Sequence, residues 1–284
     1  MEKRMRILIA GGDMRQIYCA ERLAEKYEVS VIGFDREHFI CRKAQNAVCG
    51  QYDCAVLPVP PLDDAGDITA PCFSGKIHAD EIKDMLVPDG IVLAGRADSR
   101  LSEIFSGMEI CDYMLCEEIM IRNAVPTAEG AVQIALEELP VTLSGLKVLI
   151  VGMGRIGTAL AEILKGFGAD ITAAVRNSSG AARAKLHGVK SVCTDSMGTD
   201  FGLVFNTVPY LIFDRSRLCQ FEDDTLFIDL ASKPGGIDFS SAAELGKKAV
   251  WALGLPGKTA PVTSGEIIAD TISGMLDERG NVYA

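Results

Sequence analysis

The sequence predicts an α/β protein with two domains, each built on a doubly wound parallel sheet. Short apolar runs that suit buried parallel strands alternate with segments in which apolar residues recur at helical spacing. Two strand-to-helix junctions, at residues 11–12 and 152–157, carry glycines. The chain has 284 residues, of which 48% are hydrophobic, so it can bury two cores. We expect a first domain at 1–125, completed by a C-terminal helix at 262–284, and a second domain at 126–261.

The glycine-rich junction of the second domain is the strongest motif. Lys147–Val151 predicts a buried strand, and apolar residues recur at helical spacing after it. Between them, Gly152 would allow a tight turn, Gly154 would let the backbone approach a pyrophosphate, and Gly157 would let the helix pack close to the strand. This is the dinucleotide fingerprint of a Rossmann domain. The first cofactor-binding candidates are therefore Gly152, Gly154, Arg155, Ile156 and Gly157.

The next predicted strand, Ile171–Val175, indicates which nicotinamide cofactor is bound. An NAD site normally carries Asp or Glu near the end of this strand, to bind the ribose 2′-hydroxyl. Here Arg176 stands in that place, and the serines that follow, Ser178 among them, add hydroxyl donors. Because a guanidinium pairs well with a phosphate, the sequence favours NADP. The alternative is that Arg176 is an ordinary solvated cation.

Two later strand ends are expected to cover the nicotinamide. Leu203–Asn206 and Thr225–Leu230 predict strands of the same sheet, and Ala249–Leu253 predicts another. The loops after the first two supply the remaining cofactor candidates: Asn206, Thr207, Val208, Pro209, Ala231 and Ser232. Asp229 and the Pro-Gly-Gly turn beyond it are equally well explained as residues that fix the shape of the loop.

The first domain opens with a second glycine turn. Arg6–Ala10 and Val29–Phe34 predict strands on either side of a helix that runs to about Lys26. Gly11 and Gly12 lie at the turn, but the third glycine of the fingerprint is missing. We therefore expect a flavodoxin-like substrate domain whose glycine turn binds an anion. The alternation continues with predicted strands at Cys54–Leu57 and Ile91–Ala94 and predicted helices at Asp80–Leu86 and Ser99–Phe105.

Composition argues against several kinds of partner. The net charge is −11 with no basic run to offset it, which disfavours nucleic acid and anionic membrane surfaces. The apolar run Ile7–Ala10 is too short for a signal peptide or a membrane span, so we expect a cytoplasmic protein. Nine scattered cysteines, including Cys49/Cys54 and Cys111/Cys116, lack zinc-site spacing, so we expect reduced thiols and no metal.

An acidic protein needs local cations to bind an anionic substrate. Arg15, in the first helical turn after the glycines, is the first candidate, and Arg96, after the Ile91–Ala94 strand, is the second. Either side chain is alternatively a solvated surface charge.

Two helices are expected to connect the domains. Thr127 would cap a helix that extends to Leu139, with Glu129 in its first turn. Thr263 and Glu266 have the spacing of a capping box for the second helix. Two such crossing helices would create a cleft with hinge motion, where a cofactor meets a substrate.

The segment Gly11-Gly-Asp-Met-Arg-Gln16, followed by Gly33-Phe-Asp35, resembles the opening of the A subunits of dipicolinate synthases from spore-forming bacteria. Further motifs resemble that family in its order: residues 123–130, 152–157, 206–209, 228–236, 254–257 and 260–265. The resemblance makes Gly11, Gly12, Asp13, Arg15 and Gln16 substrate-binding candidates. The chain departs from the family at Lys233, where Arg is common, and we find no motif in 62–78.

The resemblance implies oxidation of a dihydropyridine dicarboxylate to dipicolinate, with NADP as the hydride acceptor. Its substrate would form by dehydration of the 4-hydroxy-tetrahydrodipicolinate of the lysine pathway. The family works with a flavoprotein-like B subunit, which implies FMN on that partner, in the mother cell during sporulation. A homodimer remains open, and no general base is identified.

Two other functions remain open. A shikimate-type or 2-hydroxyacid dehydrogenase shares the glycine motif, but a hydroxyacid dehydrogenase needs a late histidine as its base. The histidines here are His38, His78 and His187, and none follows position 187. The other alternative is an NADP-binding regulatory or scaffold subunit, with the chemistry on a flavin of the B subunit.

Overall fold

The computed structural model describes residues 4–35, 45–46 and 51–282, and the chain divides into two compact units. Unit 1 comprises Met1–Asn123 and Ala260–Ala284, and unit 2 comprises Ala124–Thr259. His38 and Cys49 lie outside the described residues.

Unit 1 contains a parallel sheet with strand order β3-β2-β1-β4-β5-β6. Its strands are β1 (Arg6–Ala10), β2 (Glu28–Ile32), β3 (Gln45–Asn46), β4 (Tyr52–Val56), β5 (Leu86–Ala94) and β6 (Glu109–Asp112). Its first four helices are α1 (Met14–Leu23), α2 (Ala79–Asp84), α3 (Ser99–Ile104) and α4 (Glu117–Arg122). If the two-residue β3 is set aside, the five longer strands follow the flavodoxin-like order, second, first, third, fourth, fifth.

Unit 2 contains a second parallel sheet with strand order β12-β11-β10-β7-β8-β9. Its strands are β7 (Lys147–Val151), β8 (Asp170–Val175), β9 (Lys190–Cys193), β10 (Leu203–Asn206), β11 (Leu226–Asp229) and β12 (Lys248–Trp251). Its helices are α5 (Ala124–Glu138), α6 (Arg155–Gly166), α7 (Ser178–Leu186), α8 (Arg215–Leu218), α9 (Phe239–Glu244) and α10 (Leu255–Thr259). This is the Rossmann strand order, so the predicted fold class of two doubly wound parallel sheets is confirmed.

The last helix, α11 (Pro261–Val282), returns to unit 1 and packs along α1. Its apolar face adds Ile268 and Ile272 to a core that also contains Ile7 and Ile9 of β1. The alternate residues of β1, Leu8 and Ala10, face a second core on the other side of the sheet. None of the described helices is long and apolar enough to cross a membrane.

Two expected helix caps are wrong. α5 begins at Ala124, so Thr127 lies inside the helix; Pro126 is tolerated in the first turn because no backbone N–H is needed there. α11 begins at Pro261, whose fixed φ suits a first helical position, so Thr263 lies within the first turn and does not cap it.

Candidate functional site

The glycine turn between β7 and α6 has the shape that the sequence predicts. Gly152 has a φ of +93°, and a Cβ there would lie 2.6 Å from Thr207 Oγ1. A Cβ on Gly157 would lie 2.0 Å from the carbonyl oxygen of Gly152, so only glycine lets α6 start this close to the strand end. A Cβ on Gly154 would meet nothing within 4 Å. The space in front of Gly154 is therefore open to a ligand, as pyrophosphate binding at a helix N-terminus requires.

This turn forms one wall of a cleft of about 920 Å³ in unit 2. The volume lies in the range of cofactor sites, about 300 to 1,000 Å³. The other walls are the end of β8, the segment that follows β9, the helix α8 and the loop after β10, which includes Val208, Tyr210 and Leu211. Tyr210 and Leu211 are 69% and 53% exposed, so the cleft offers apolar surface for a base to stack on.

Three arginines line the cleft: Arg176, Arg183 and Arg217. Arg176 is exposed at the end of β8, and the next residue, Asn177, caps α7 through a 2.9 Å bond from Gly180 N–H. The side chain of Arg183 reaches back to the glycine turn, where its Nη1 lies 3.3 Å from Met153 O. Ser179 lines the cleft, whereas Ser178 is not among its lining residues. The residue types thus favour a ligand with phosphate groups.

The Asn206 side chain shapes the loop and is fully buried. Its Nδ2 donates to Val208 O at 2.9 Å and to Asp229 Oδ1 at 2.7 Å, and its Oδ1 accepts from Val208 N–H. Asp229 also accepts from the backbone N–H groups of Ala231 and Gly236. These bonds favour the loop-shaping interpretation of Asp229 and extend it to Asn206.

The other cofactor candidates differ in how deeply they are buried, both in the loops after β10 and β11 and at the start of α6. Thr207 ties the loop to β7 by donating to Val151 O at 2.8 Å, and Ala231 is buried. Pro209 and Ser232 are exposed, as are Gly154 and Arg155 at the start of α6. Ile156 is half-buried and packs against the core of unit 2. Val208 is therefore the loop candidate with the most direct access to the cleft.

The glycine turn of unit 1 does not form the expected anion cradle. Gly11 N–H donates to Ile32 O at 2.9 Å, and Gly12 N–H donates to Thr69 O at 2.7 Å. Neither group is left for an anion, which corrects the expectation from the sequence. The glycines are needed for space, because a Cβ on Gly12 would lie 2.3 Å from Gln16 Cγ.

A small cavity of about 40 Å³ lies beside this turn. It is lined by Gly12, Asp13, Arg15, Gln16 and Thr69, with apolar contributions from Pro58, Val59, Pro71 and Ile268. Four of the candidates that the sequence singled out thus line one cavity, whereas Gly11 and Arg96 do not. Arg96 is exposed, has a left-handed φ of 59°, and donates its backbone N–H to Asp112.

The charge of Arg15 is already paired within the motif. Asp13 accepts from Arg15 Nε and Nη2, both at 2.9 Å, and also caps α1 by accepting from Arg15 N–H. Among the described residues, Arg15 Nη1 has no hydrogen-bond partner. Asp13 therefore holds the guanidinium in place, and Nη1 is the nitrogen that remains for a ligand carboxylate.

The two described histidines are paired with carboxylates outside both cavities. His78 Nδ1 lies 2.7 Å from Asp67, and this contact holds the pKa of Asp67 below its usual value. His187 Nδ1 lies 2.8 Å from Glu162, whose pKa is lowered first by Lys165 and then by this histidine. Neither histidine is placed to act on a ligand in the clefts.

Sequence reasoning missed three residues that line these sites, Thr69, Arg183 and Arg217. Thr69 lies in the segment without a motif and Arg217 lies on the short α8, so no local pattern marks either residue. Arg183 lies in the second turn of α7, the helix that starts after Arg176. An arginine in the second turn of that helix is a sequence signal for a second cation beside Arg176.

Comparison with known proteins agrees with this geometry. Residues 6–114 match the family model that describes the N-terminal domain of the dipicolinate synthase A subunit, and residues 122–232 match the D-isomer specific 2-hydroxyacid dehydrogenase, NAD binding domain. The A subunit of dipicolinate synthase from Bacillus subtilis (strain 168) is 30% identical, over 96% of each chain.

Solved structures agree with the sequence matches. The crystal structure of the dipicolinate synthase A subunit from Bacillus halodurans has a TM-score of 0.88 and 29% identity, and covers 97% of this chain and 99% of that one. The crystal structure of the A chain of the Bacillus subtilis enzyme has a TM-score of 0.86 and 29% identity, and covers 98% of this chain and 97% of that one. Unit 2 is thus a nicotinamide-nucleotide domain of the dehydrogenase type, as expected of an oxidoreductase. The chain belongs to the family of dipicolinate synthase A subunits.

Proposed function

We propose that this protein oxidises a dihydropyridine-2,6-dicarboxylate to dipicolinate and passes the hydride to NADP. The observation that carries the proposal is the arginine-lined cleft at the unit 2 glycine turn, in a chain whose relatives are A subunits of dipicolinate synthases. Loss of a hydride to the nicotinamide and of a proton to solvent makes the ring aromatic. That gain in stability asks less of a general base than alcohol oxidation does, so positioning of substrate and cofactor can suffice.

The choice of NADP rests on the end of β8. Arg176 occupies the place of the carboxylate that binds the ribose in NAD sites, and Arg183 lines the same cleft. Asp195 and Asp214 also line it, but both come from other loops. Two guanidinium groups from adjoining segments, Arg176 and Arg183, suit the 2′-phosphate, which is absent from NAD.

Replacement of Arg176 tests the cofactor assignment. Arg176→Ala should weaken NADP binding about ten- to a hundredfold, since a charge-assisted bond to phosphate contributes about 1.5 to 3 kcal/mol. NAD binding should change by less than about twofold. Titration of both nucleotides measures this, and Arg215→Ala serves as the control, because Arg215 pairs with Glu244 outside the cleft lining. Equal losses for NADP and NAD would remove the 2′-phosphate assignment.

The substrate part of the proposal places a carboxylate of the ligand at Arg15 Nη1. Arg15→Ala should leave NADP affinity within about twofold and lower kcat/KM by about tenfold or more, because one charged contact is lost. Arg22→Ala is the matched control on the same helix, because Arg22 is paired with Asp270 and Glu25 and does not line the cavity. Unchanged kinetics of Arg15→Ala, measured with the B subunit present, would overturn the assignment.

The family implies a second protein component, and our proposal includes one. The partner would be a flavoprotein-like B subunit that holds FMN, and the two would make dipicolinate in the cytoplasm of the mother cell during sporulation. Hydride transfer to NADP would still take place on the chain that carries the arginine-lined cleft.

A further inference from the structure

The small cavity of unit 1 contains a buried hydrogen-bond acceptor that the protein does not satisfy. Gln16 is 2% exposed and lines the cavity, yet its Oε1 has no partner within the described part of the chain. The hydroxyl of Thr69, on the cavity wall, is likewise buried and unpaired among these residues. A buried acceptor without a donor destabilises the protein, so a site that retains one is expected to receive a donor from a ligand.

The chemistry of the neighbouring tyrosine decides which end of the amide faces the cavity. Tyr113 is fully buried and donates its only hydroxyl hydrogen to Leu57 O at 2.8 Å. The Gln16 amide acts on this hydroxyl, because it opposes the rise in the Tyr113 pKa that burial causes. Since the hydroxyl has no hydrogen left to give, the end of the amide that suits it is the NH₂ group. Oε1 is the end without a hydrogen-bond partner among the described residues.

We propose that Gln16 Oε1 accepts a hydrogen bond from a ring N–H or hydroxyl of the bound dicarboxylate. The inference rests on the substrate site proposed above, next to Arg15. A dihydropyridine in its N–H form carries such a donor, whereas the aromatic product has only a lone pair on its ring nitrogen. A lone pair facing Oε1 would be repelled and would leave the acceptor unsatisfied. Gln16 thus selects the reduced ligand and favours release of the product.

Two planar dianions of nearly equal size test this preference. Dipicolinate has no ring donor, and 4-hydroxypyridine-2,6-dicarboxylate carries one as its hydroxyl or, in the pyridone form, as N–H. Calorimetric titration of the full chain should show about tenfold tighter binding of the donor-bearing ligand. Gln16→Leu should bring the two dissociation constants within about twofold. Equal affinities in the wild-type protein, or a preference that persists in Gln16→Leu, would overturn the inference.

A second variant tests the orientation of the amide without changing Gln16. Tyr113→Phe removes the hydroxyl that favours the NH₂ end of the amide, so the amide is free to turn and present a donor. The preference for the donor-bearing dianion over dipicolinate should then fall at least severalfold, and dipicolinate should bind this variant no more weakly than it binds the wild-type protein. An unchanged preference in this variant, with thermal unfolding showing a folded protein, would contradict the assigned orientation.

Arg15→Ala separates this inference from the substrate site on which it rests. If the site is correct, that variant weakens both dianions to a similar extent. If neither dianion depends on Arg15, the substrate site itself is wrong. If both depend on Arg15 but neither is preferred, only the role of Gln16 is wrong.

Discussion

At the residue scale, the three glycines of the unit 2 turn serve different purposes. Gly152 and Gly157 are required by the protein itself, because a Cβ at either position would meet atoms at 2.6 and 2.0 Å. Gly154 is not required for packing, since a Cβ there meets open space, and its φ of −82° suits any residue. We therefore propose that Gly154 leaves room for the ligand.

This difference predicts opposite results for two alanine variants. Gly154→Ala should fold with unchanged or slightly higher stability and bind NADP about tenfold or more weakly, because the new methyl group occupies the approach to the pyrophosphate. Gly157→Ala should lower the free energy of unfolding by about 1 to 3 kcal/mol, since the helix must move off the strand. Chemical denaturation and nucleotide titration of both variants measure this. Normal NADP affinity in Gly154→Ala would place the pyrophosphate elsewhere.

At the scale of elements, the contact between α1 and α11 is set by one glycine. A Cβ on Gly265 would lie 2.4 Å from Arg15 O and 2.7 Å from Tyr18 Cβ, so the two helices approach with no room for a methyl group. Two exposed ion pairs also join α1 to α11, Arg22 with Asp270 and Lys26 with Asp277. The approach also brings Ile268 to the cavity beside Arg15.

A matched pair of variants on α11 tests this contact. Gly265→Ala should lower the free energy of unfolding by about 1 to 3 kcal/mol through overpacking, while NADP binding to unit 2 stays unchanged. Gly274 lies on the exposed side of α11, where a Cβ would meet nothing within 4 Å. Gly274→Ala should therefore raise the free energy of unfolding by up to about 1 kcal/mol. Thermal or chemical unfolding compares the two. A neutral Gly265→Ala would show that the helices are not packed this closely.

Sequence patterns predict the central elements better than the edges and the helix starts. The predicted bounds of β1, β7 and β10 agree with the observed ones, because these strands are apolar runs that lie between two other strands of their sheet. β6 and β9 were not predicted, since they are edge strands whose charged and polar residues hide the alternation. The starts of α5 and α11 were misplaced because a proline near each start outweighed the expected threonine caps.

At the scale of the whole molecule, the sequence identifies which residues gather at each site but not which of their atoms remain available. The motif from Gly11 to Gln16 is predicted to bind an anion, and four of its residues, Gly12, Asp13, Arg15 and Gln16, do line one cavity. Only tertiary structure shows that the glycine amides bond to Ile32 and Thr69 carbonyls. The same holds for Asn206, whose hydrogen-bonding groups all serve the loop. Most of these hydrogen bonds join segments that are far apart in the sequence, so no local sequence pattern predicts them.

The claim that this chain itself performs hydride transfer to NADP is tested most directly by isotope transfer. A dihydropyridine dicarboxylate with deuterium on its ring carbons would be generated in the presence of the purified chain and NADP, with and without the B subunit. We predict that deuterium appears in the reduced nicotinamide, one NADPH per dipicolinate formed, because the hydride passes directly between carbons. A route through a flavin would lose the label, since a reduced flavin N–H exchanges with water. Unlabelled NADPH, or dipicolinate formed without NADP reduction, would contradict the proposed function.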